Sequence, residues 1–165
     1  MARGFYTQAT YSQAVALSPD IVGMTYVYPD YYEVGREKVR EYAAAVKNED
    51  AAYFDDGAAN ILGHDTILAP LTFVSILGLK AQMAFFEHHN IPITEEKLVQ
   101  AEQGLTMLRP IKAGDKLYCH IRLESLRRAF GADVLTIRSR ITNQHGEIVQ
   151  EDYTTMAGRT EDDSD

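Results

Sequence analysis

Residues 45–60, AVKNEDAAYFDDGAAN, contain the residue types of an acid/base site. They place four carboxylates and the amide of Asn48 around Tyr53, with no histidine, serine or cysteine. The carboxylates belong to Glu49, Asp50, Asp55 and Asp56. An amide exchanges no proton near neutral pH, and a tyrosine, whose pKa is about 10, is a poor base at pH 7. The segment therefore predicts the outline of a site without a suitable pair of proton-transfer groups.

Structural interpretations of the same residues stand beside the chemical ones. The acids are predicted to cap helices and face solvent, because no histidine lies among them at metal-ligand spacing. No metal and no cofactor are predicted. Asn48 is expected to turn the chain after a helix. Tyr53 is open to two interpretations, packing against the core or lining a substrate site. Asp50 remains a weak candidate base.

Histidines provide two further candidates. His64-Asp65 could act as a replacement pair, but adjacent residues rarely face each other, and Gly-His-Asp before a helix is typical of a turn. His64 is therefore also a weak candidate. His88-His89 ends a long helical pattern, where a partly charged imidazole is stabilised by the helix dipole. No chemistry is predicted at that second pair.

The elements that would position these residues begin with helices. GREKVREYAAAV is predicted to form an amphipathic helix, whose apolar side chains at helical spacing are Val39, Tyr42, Ala43 and Val46. Asp55 or Asp56 can cap a short alanine-rich helix that runs through Leu62, and Gly63 can end it. Ser18-Pro19-Asp20 is a further helix-start or turn signal, and Tyr28-Pro29-Asp30 a second turn before a short β-prone run.

A longer helix is predicted over LTFVSILGLKAQMAFFEHH, with Pro70 in its first turn. Roughly 19 residues would span about 28 Å. Its N-terminal half is apolar on every face, which predicts that this helix is buried on every side within the domain. The first N–H groups, near Leu71 to Phe73, are expected to be unpaired within the helix and to favour a partial negative charge.

After Asn90-Ile91-Pro92 the apolar period changes from 3.6 to 2, which predicts antiparallel strands. The predicted strands cover residues 97–108, 117–124, 135–142 and 148–157. Residues 130–132 and 144–147 read as hairpin turns, and residues 110–115 as a longer connection. Helices followed by a meander predict an α+β domain whose curved antiparallel sheet wraps the long helix.

The composition limits the classes of protein to which this chain can belong. A chain of 165 residues, 45% of them hydrophobic, suits one domain over residues 17–159, between a flexible tail (1–16) and an acidic tail (160–165). Val15 could be the true start instead of Met1, since an internal GTG codon encodes valine. The net charge of −8 argues against nucleic acid as a partner. Cys119, the single cysteine, indicates a reducing cytoplasm and is expected to pack as a small hydrophobe. No apolar run is long enough for membrane insertion.

The chain resembles the MaoC-like branch of the hot-dog fold, in which an antiparallel sheet wraps a long central helix. The resemblance covers residues 17–158. It is carried by DIVGMTYVYPDYYEVGREKVREYAAAV, LAPLTFVSILG, RPIKAGDKLY and YTTMAGR, in that order. Within this branch the chain is most similar to the A-type subunits of the heterodimeric (3R)-hydroxyacyl-ACP dehydratases, which serve the type II fatty acid synthase of mycolic-acid-making actinobacteria.

The resemblance implies that no catalytic residue is retained here. Active members carry a loop of the form Gly-Asp-x-Asn-Pro-x-His, in which the aspartate and the histidine transfer protons. On that pattern Asn48 falls on the catalytic aspartate and Tyr53 on the catalytic histidine. Lys47 falls on the glycine, Asp50 on the asparagine and Ala51 on the proline. Both catalytic positions are therefore substituted.

The resemblance further implies a supporting subunit. A catalytic B-type subunit would provide the aspartate and the histidine, and acyl carrier protein would deliver the substrate, with other type II synthase enzymes as possible partners. Residues that would line either the core or an acyl channel are Leu71, Thr72, Phe73, Ser75, Ile76 and Leu79. Gly78 and Ala81 would allow close approach. The alternatives are a self-sufficient homodimeric hydratase that uses Asp50 or His64, a non-enzymatic acyl-binding or scaffolding module, and a thioesterase.

Overall fold

The computed structural model describes residues 17–93, 98–129 and 132–159. The two predicted tails, the alternative start at Val15 and the turn residues Phe130 and Gly131 lie outside the described residues. None of the helices in the described ranges has the length and apolar content needed to span a bilayer.

Two short strands precede the three α-helices, and four long strands follow them. The helices are α1 (Arg36–Ala45), α2 (Asp56–Ile61) and α3 (Ser75–His88), with short 3-10 turns at Pro19–Ile21 and Ala51–Tyr53. The strands are β1 (Thr25–Val27), β2 (Tyr32–Glu33), β3 (Leu98–Met107), β4 (Lys116–Ala129), β5 (Ala132–Thr142) and β6 (Ile148–Arg159). They form an antiparallel sheet in the order β1-β4-β5-β6-β3, and β2 pairs with β4. The predicted α+β class is confirmed.

The core lies between α3 and one face of this sheet. Leu77, Phe85 and Phe86 of α3 are buried in one apolar cluster with the inward-facing residues of the long strands. On β4 those are Leu117, Cys119, Ile121 and Leu123, which alternate with exposed or half-buried neighbours as the period of two predicts. The expectation that Cys119 packs as a small hydrophobe is confirmed, since it has no exposed surface.

The long helix differs from its prediction at its start. It begins at Ser75 and has 14 residues, hence a length of about 21 Å rather than 28 Å. The preceding residues form tight turns instead, in which the N–H of Phe73 donates to the Pro70 carbonyl (2.9 Å) and the N–H of Ser75 to that of Thr72 (3.0 Å). Long-range contacts explain the difference, because Phe73 lies in the core beside Tyr32 and Tyr42, with ring centroids 6.0 and 5.4 Å away.

Burial of α3 on every side was also predicted, and it is wrong. Leu79 is 44% exposed and Lys80 is exposed, while Ala81 and Phe85 have no exposed surface. One apolar stripe of α3 therefore remains partly uncovered in the single chain, formed by Ile76, Leu79 and Met83.

The end of α1 is a Schellman motif. The N–H of Asn48 donates to the Ala43 carbonyl (2.9 Å) and that of Lys47 to the Ala44 carbonyl (3.1 Å). Lys47 takes the left-handed conformation that this motif requires, with φ of 55°. Val46, predicted on the buried face of α1, is instead its exposed C-cap, because the helix ends one residue earlier.

Candidate functional site

The loop that follows α1 uses its polar side chains locally. The Asn48 Oδ1 accepts from the N–H of Asp50 (3.2 Å), and the Asp50 Oδ1 accepts from the N–H of Ala52 (3.0 Å). Asn48 thus turns the chain, as predicted, and Asp50 caps the 3-10 turn Ala51–Tyr53. Neither side chain has a second hydrogen-bond partner in the described part of the chain, so no proton-transfer pair is assembled here.

Tyr53 is half-buried and contacts the hydrophobic core. The turn that carries it is held in place because the N–H of Leu68 donates to the Ala52 carbonyl at 2.9 Å. Leu68 in turn forms a bridge with Lys112, in the RPIKAGD connection. These contacts favour the packing interpretation of Tyr53 over the substrate-lining one.

The aspartates at the start of α2 have structural partners. The Asp55 carboxylate caps α2 by accepting from the N–H of Ala58 at 2.9 Å. Asp56 accepts two hydrogen bonds of 2.9 Å from the Arg36 guanidinium and one of 3.0 Å from the N–H of Ile67. The bonds from Arg36 hold the pKa of Asp56 below its usual value. No group of three His, Cys, Asp or Glu side chains within residues 17–93, 98–129 and 132–159 could hold a metal ion.

His64 and Asp65 do not form a pair. The Asp65 carboxylate binds the ammonium of Lys112 at 2.5 Å, and this contact lowers the pKa of Asp65. His64 lies at the wall of a polar cavity of about 260 Å³, together with Arg109, Lys112, Asp115, Asn143, Gln144, His145 and Glu147. The Asp65 carboxylate makes no hydrogen bond to His64 in the described structure, so it does not orient the imidazole as a catalytic carboxylate would.

The segment that enters α3 joins three elements. The hydroxyl of Tyr42, on α1, donates to the Thr72 carbonyl at 2.8 Å. The Ser75 Oγ accepts from the side-chain amide of Gln103, on β3, at 3.3 Å. Of the N–H groups predicted to be free, that of Phe73 is paired, whereas those of Leu71 and Thr72 have no acceptor among the described residues.

The predicted substrate-lining residues therefore separate into two groups. Phe73 belongs to the core, with 1% of its surface exposed. The others lie where solvent reaches them at least in part: Leu71, Thr72, Ser75, Ile76 and Leu79.

Free space lies beside Gly78 on α3. Gly78 is buried, yet a β-carbon there would have no described atom within 4 Å apart from its chain neighbours and its own helix backbone. A buried glycine normally marks a close approach of another element. Here the small residue leaves room that no described side chain fills.

A buried polar row lies between α3 and the sheet and was not predicted from the sequence. Gln150 and Asp152 on β6 are buried, and the Gln150 Nε2 donates to the Asp152 Oδ1 at 3.0 Å. Gln82, on α3, donates to the Thr154 Oγ1 at 3.1 Å. The Gln150 Oε1 has no partner in the described structure. The alternation Gln-x-Asp-x-Thr reads as a solvent-facing strand, and only its register opposite Ile141 and Ile137 reveals the burial.

Asp152 is the acidic residue of this row, and its pKa is strongly shifted. Burial raises the pKa of Asp152 to about 6, and the bond from Gln150 partly opposes that rise. Burial, with the Asp152 charge added, raises the pKa of the Cys119 thiol to about 12. A carboxyl with a pKa near neutrality can exchange protons under physiological conditions. No second titrating group that could act with it in proton transfer contacts Asp152 in the described ranges.

Comparison with known sequences identifies the relatives of this chain. Residues 20–152 match the family described as FAS1-like, dehydratase domain region. A UPF0336 protein of Mycobacterium leprae is 53% identical over 145 residues, which cover 88% of this chain and 91% of that protein. Two UPF0336 proteins of Mycobacterium tuberculosis are 52% and 44% identical, over 92% and 91% of this chain and 96% and 90% of their own length.

The comparison with solved structures agrees with the comparison of sequences. The C-terminally truncated HadBC (3R-hydroxyacyl-ACP dehydratase) complex of M. tuberculosis contains a chain that superimposes with a TM-score of 0.79 at 44% identity, covering 86% of this chain and all of that one. A MaoC-like dehydratase gives 0.78 at 37% identity, over 86% of this chain and 43% of the other. The R-hydratase PhaJ1 of Pseudomonas aeruginosa, at 17% identity over 85% of this chain and 83% of the other, shares the fold with a TM-score of 0.63. The predicted hot-dog fold is confirmed.

Proposed function

This chain belongs to the FAS1-like dehydratase family of MaoC-like hot-dog proteins, and we propose that it is the supporting subunit of a heterodimeric (3R)-hydroxyacyl-ACP dehydratase. A catalytic B-type subunit provides the aspartate and the histidine. The observation that carries this proposal is the loop after α1, where Asn48 and Asp50 are bonded to local backbone and Tyr53 packs on the core.

The proposed reaction needs groups that this loop lacks. Loss of water from a (3R)-3-hydroxyacyl thioester requires a base for the Cα proton and an acid for the departing hydroxyl, and it gives the trans-2-enoyl thioester and water. An asparagine cannot fill the first role, and a core-packed tyrosine is poorly suited to the second. The complex is a hydro-lyase without a cofactor, and this chain alone is inactive.

The surface that receives the partner is, in our proposal, the edge of the sheet at β3. This strand has ten residues, of which only Glu102 is charged, and its outer side pairs with no other described strand. Proteins normally cover an edge of this length, and a register shift between Gln100 and Glu102 interrupts it only locally. Leu79 lies one turn after Ser75 on α3, on the side that reaches Gln103 of β3. The uncovered stripe of α3 therefore lies next to the β3 edge, and the two together form a surface suited to a second subunit.

The supporting role is to extend the acyl channel. The space beside Gly78 and the exposed side chains of Leu71, Thr72, Ser75, Ile76 and Leu79 would accept the outer part of a long acyl chain. Acyl carrier protein presents that chain, in cytoplasmic type II fatty acid synthesis that elongates mycolic acid precursors. The close relatives in mycobacteria support this setting, and other enzymes of the same synthase are further proposed partners.

An assay of the dehydration of a long-chain 3-hydroxyacyl-ACP tests the proposal. It is run with this chain alone, with a B-type subunit alone, and with both subunits co-expressed. We expect activity only in the pair, retained on Asp50→Ala, His64→Ala and Tyr53→Phe here and lost when the histidine of the B-type subunit is replaced. Activity of this chain alone would establish the self-sufficient homodimer instead. Acyl-ACP binding without any rate increase in the pair would establish a scaffold.

Two matched substitutions test the proposed partner surface. Leu79→Glu should abolish co-purification with the B-type subunit, because it places a charge at the uncovered stripe of α3. Ile61→Glu is the control, since Ile61 on α2 is 87% exposed and lies outside that stripe. Equal co-purification of both variants would contradict the assignment of the surface.

A further inference from the structure

A second cavity lies on the opposite face of the sheet from α3. It has a volume of about 350 Å³ and is lined in part by Thr25, Val27, His120, Arg122, Arg138 and Arg140. The charged side chains of β4 point away from α3, because side chains alternate between the two faces of a strand. His120 and Arg122 are exposed, whereas the residues that alternate with them, Cys119, Ile121 and Leu123, are buried. The cavity is at the β1 side of the sheet, and β3 is the other edge. It is therefore separate from the proposed partner surface.

The register concentrates positive charge at this cavity. Arg122 on β4 lies directly opposite Arg138 on β5, and His120 lies opposite Arg140. Like charges directly opposite each other on neighbouring strands are destabilising. The arrangement is more unusual because the whole chain carries a net charge of −8. A cluster that costs stability in an acidic protein calls for an anionic counterpart.

Within residues 17–93, 98–129 and 132–159, carboxylates supply only part of that counterpart. Glu151 accepts from Arg138 and from Arg140 at 3.0 Å each, and Glu124 lies 3.6 Å from Arg122. Three guanidinium groups thus face two carboxylates, and His120 adds further donor capacity. The buried Nε of Arg138 has no acceptor in the described structure, and a buried donor left unpaired is costly.

One member of the cluster, Arg138, is also held in place before any ligand arrives. The Arg138 guanidinium lies over the Tyr153 ring at 5.6 Å from its centroid, and Glu151 fixes it from a second direction. Arginines that are already ordered lose less entropy when they bind an anion. Val27, an exposed apolar residue on β1, forms another part of the wall.

We propose that this cavity binds a small organic phosphate through its phosphate group. Guanidinium groups match phosphate oxygens in geometry and charge. The donors come from two neighbouring strands, so a tetrahedral group with several oxygens satisfies them better than a planar carboxylate. The cavity is within the range of roughly 300–1,000 Å³ that is usual for small-molecule sites. That is more room than a bare phosphate needs, and the organic part would lie against Val27.

Calorimetric titration of the full chain, or of its co-purified complex, tests the proposal at constant ionic strength. The probes are adenosine 5′-monophosphate, glycerol 3-phosphate and malonate. We expect saturable binding of at least one phosphate ester, at least tenfold tighter than that of malonate. Arg122→Gln and Arg140→Gln should each weaken it about tenfold. The Arg122 side chain is 55% exposed in its ion pair with Glu124, so replacing it should leave the fold intact. Circular dichroism of the variant checks this.

Arg127→Gln is the matched control, because Arg127 is exposed on the same strand but outside the cavity. It should bind the phosphate ester within twofold of the natural chain. Equal weakening by Arg127→Gln, malonate binding as tight as that of the esters, or no saturable binding of either ester would each overturn the site. The dehydratase activity of the complex is expected to be unchanged in Arg122→Gln, so this proposal and the proposed function can fail independently.

Discussion

Replacing Asp152 by asparagine should stabilise the fold at neutral pH by about 3 kcal/mol. Asp152 is 2% exposed, and burial raises its pKa from 3.8 to about 6. Each factor of ten in proton affinity corresponds to about 1.4 kcal/mol. The folded chain binds this proton more tightly than the unfolded chain does. Stability from the neutral carboxyl is therefore complete below about pH 4, is lost as the pH rises through about 6, and does not return at higher pH.

Asparagine removes that loss, because it stays neutral at every pH. Its side-chain oxygen still accepts from Gln150, and its amide can donate to the unpaired Gln150 Oε1. Urea unfolding at pH 4, 5.5 and 7.5, followed by circular dichroism, should show a difference from the natural chain that grows from near zero to about 3 kcal/mol.

The control for this series is Glu33→Gln, on the exposed surface of β2. It removes the same charge and should change the free energy of unfolding by less than about 0.5 kcal/mol throughout. A difference between Asp152→Asn and the natural chain that does not vary with pH, or a variant that is less stable at pH 7.5, would refute the argument from burial.

Three further substitutions and one chemical modification test other features. Lys47→Gly should raise the free energy of unfolding by about 1 kcal/mol in urea titrations, because Lys47 occupies a left-handed conformation at φ of 55°; a loss of stability would mean that its side chain makes a contact worth more than that strain. Gly78→Ala should stabilise the chain by about 0.5–1 kcal/mol through helix propensity, since space is available for a methyl group. Gly78→Leu should slow the complex on long acyl chains more than on short ones, and equal slowing would contradict a channel there. Cys119 should react with a maleimide at pH 8 only as fast as the chain unfolds, because burial raises its pKa to about 12; fast labelling of the folded chain would show that the core opens locally.

Local signals in the sequence predicted local structure well. Asn48 as a turn residue, Asp55 as a helix cap and the alternation along β4 all depend on neighbours within a few positions, and each is confirmed. The α+β class followed from the change of period from helical to extended segments. The hot-dog assignment depended on the resemblance of four longer segments, whose order and spacing carry more information than any single one.

Features that depend on distant residues were not predicted. The start of α3 at Ser75 reflects contacts of Thr72 and Phe73 with Tyr42 on another helix. The burial of Asp152 depends on the register of β6 against β5 and on the helix that covers both strands. The cationic cavity likewise arises because Arg122 and Arg138, sixteen positions apart in sequence, lie side by side in the sheet. The residue pattern within one segment carries no information about such pairings between distant segments.

The open edge at β3 has a consequence for how the protein is made. In the heterodimer proposed above, a molecule that has not yet met its partner presents an edge strand of ten residues with one charged side chain, and edge strands of this kind recruit further copies into aggregates. Matched synthesis of the two subunits would keep the lifetime of the orphan chain short. Surplus copies would enter inclusion bodies or be degraded, so the cellular amount of this protein is expected to follow that of its partner rather than its own rate of translation.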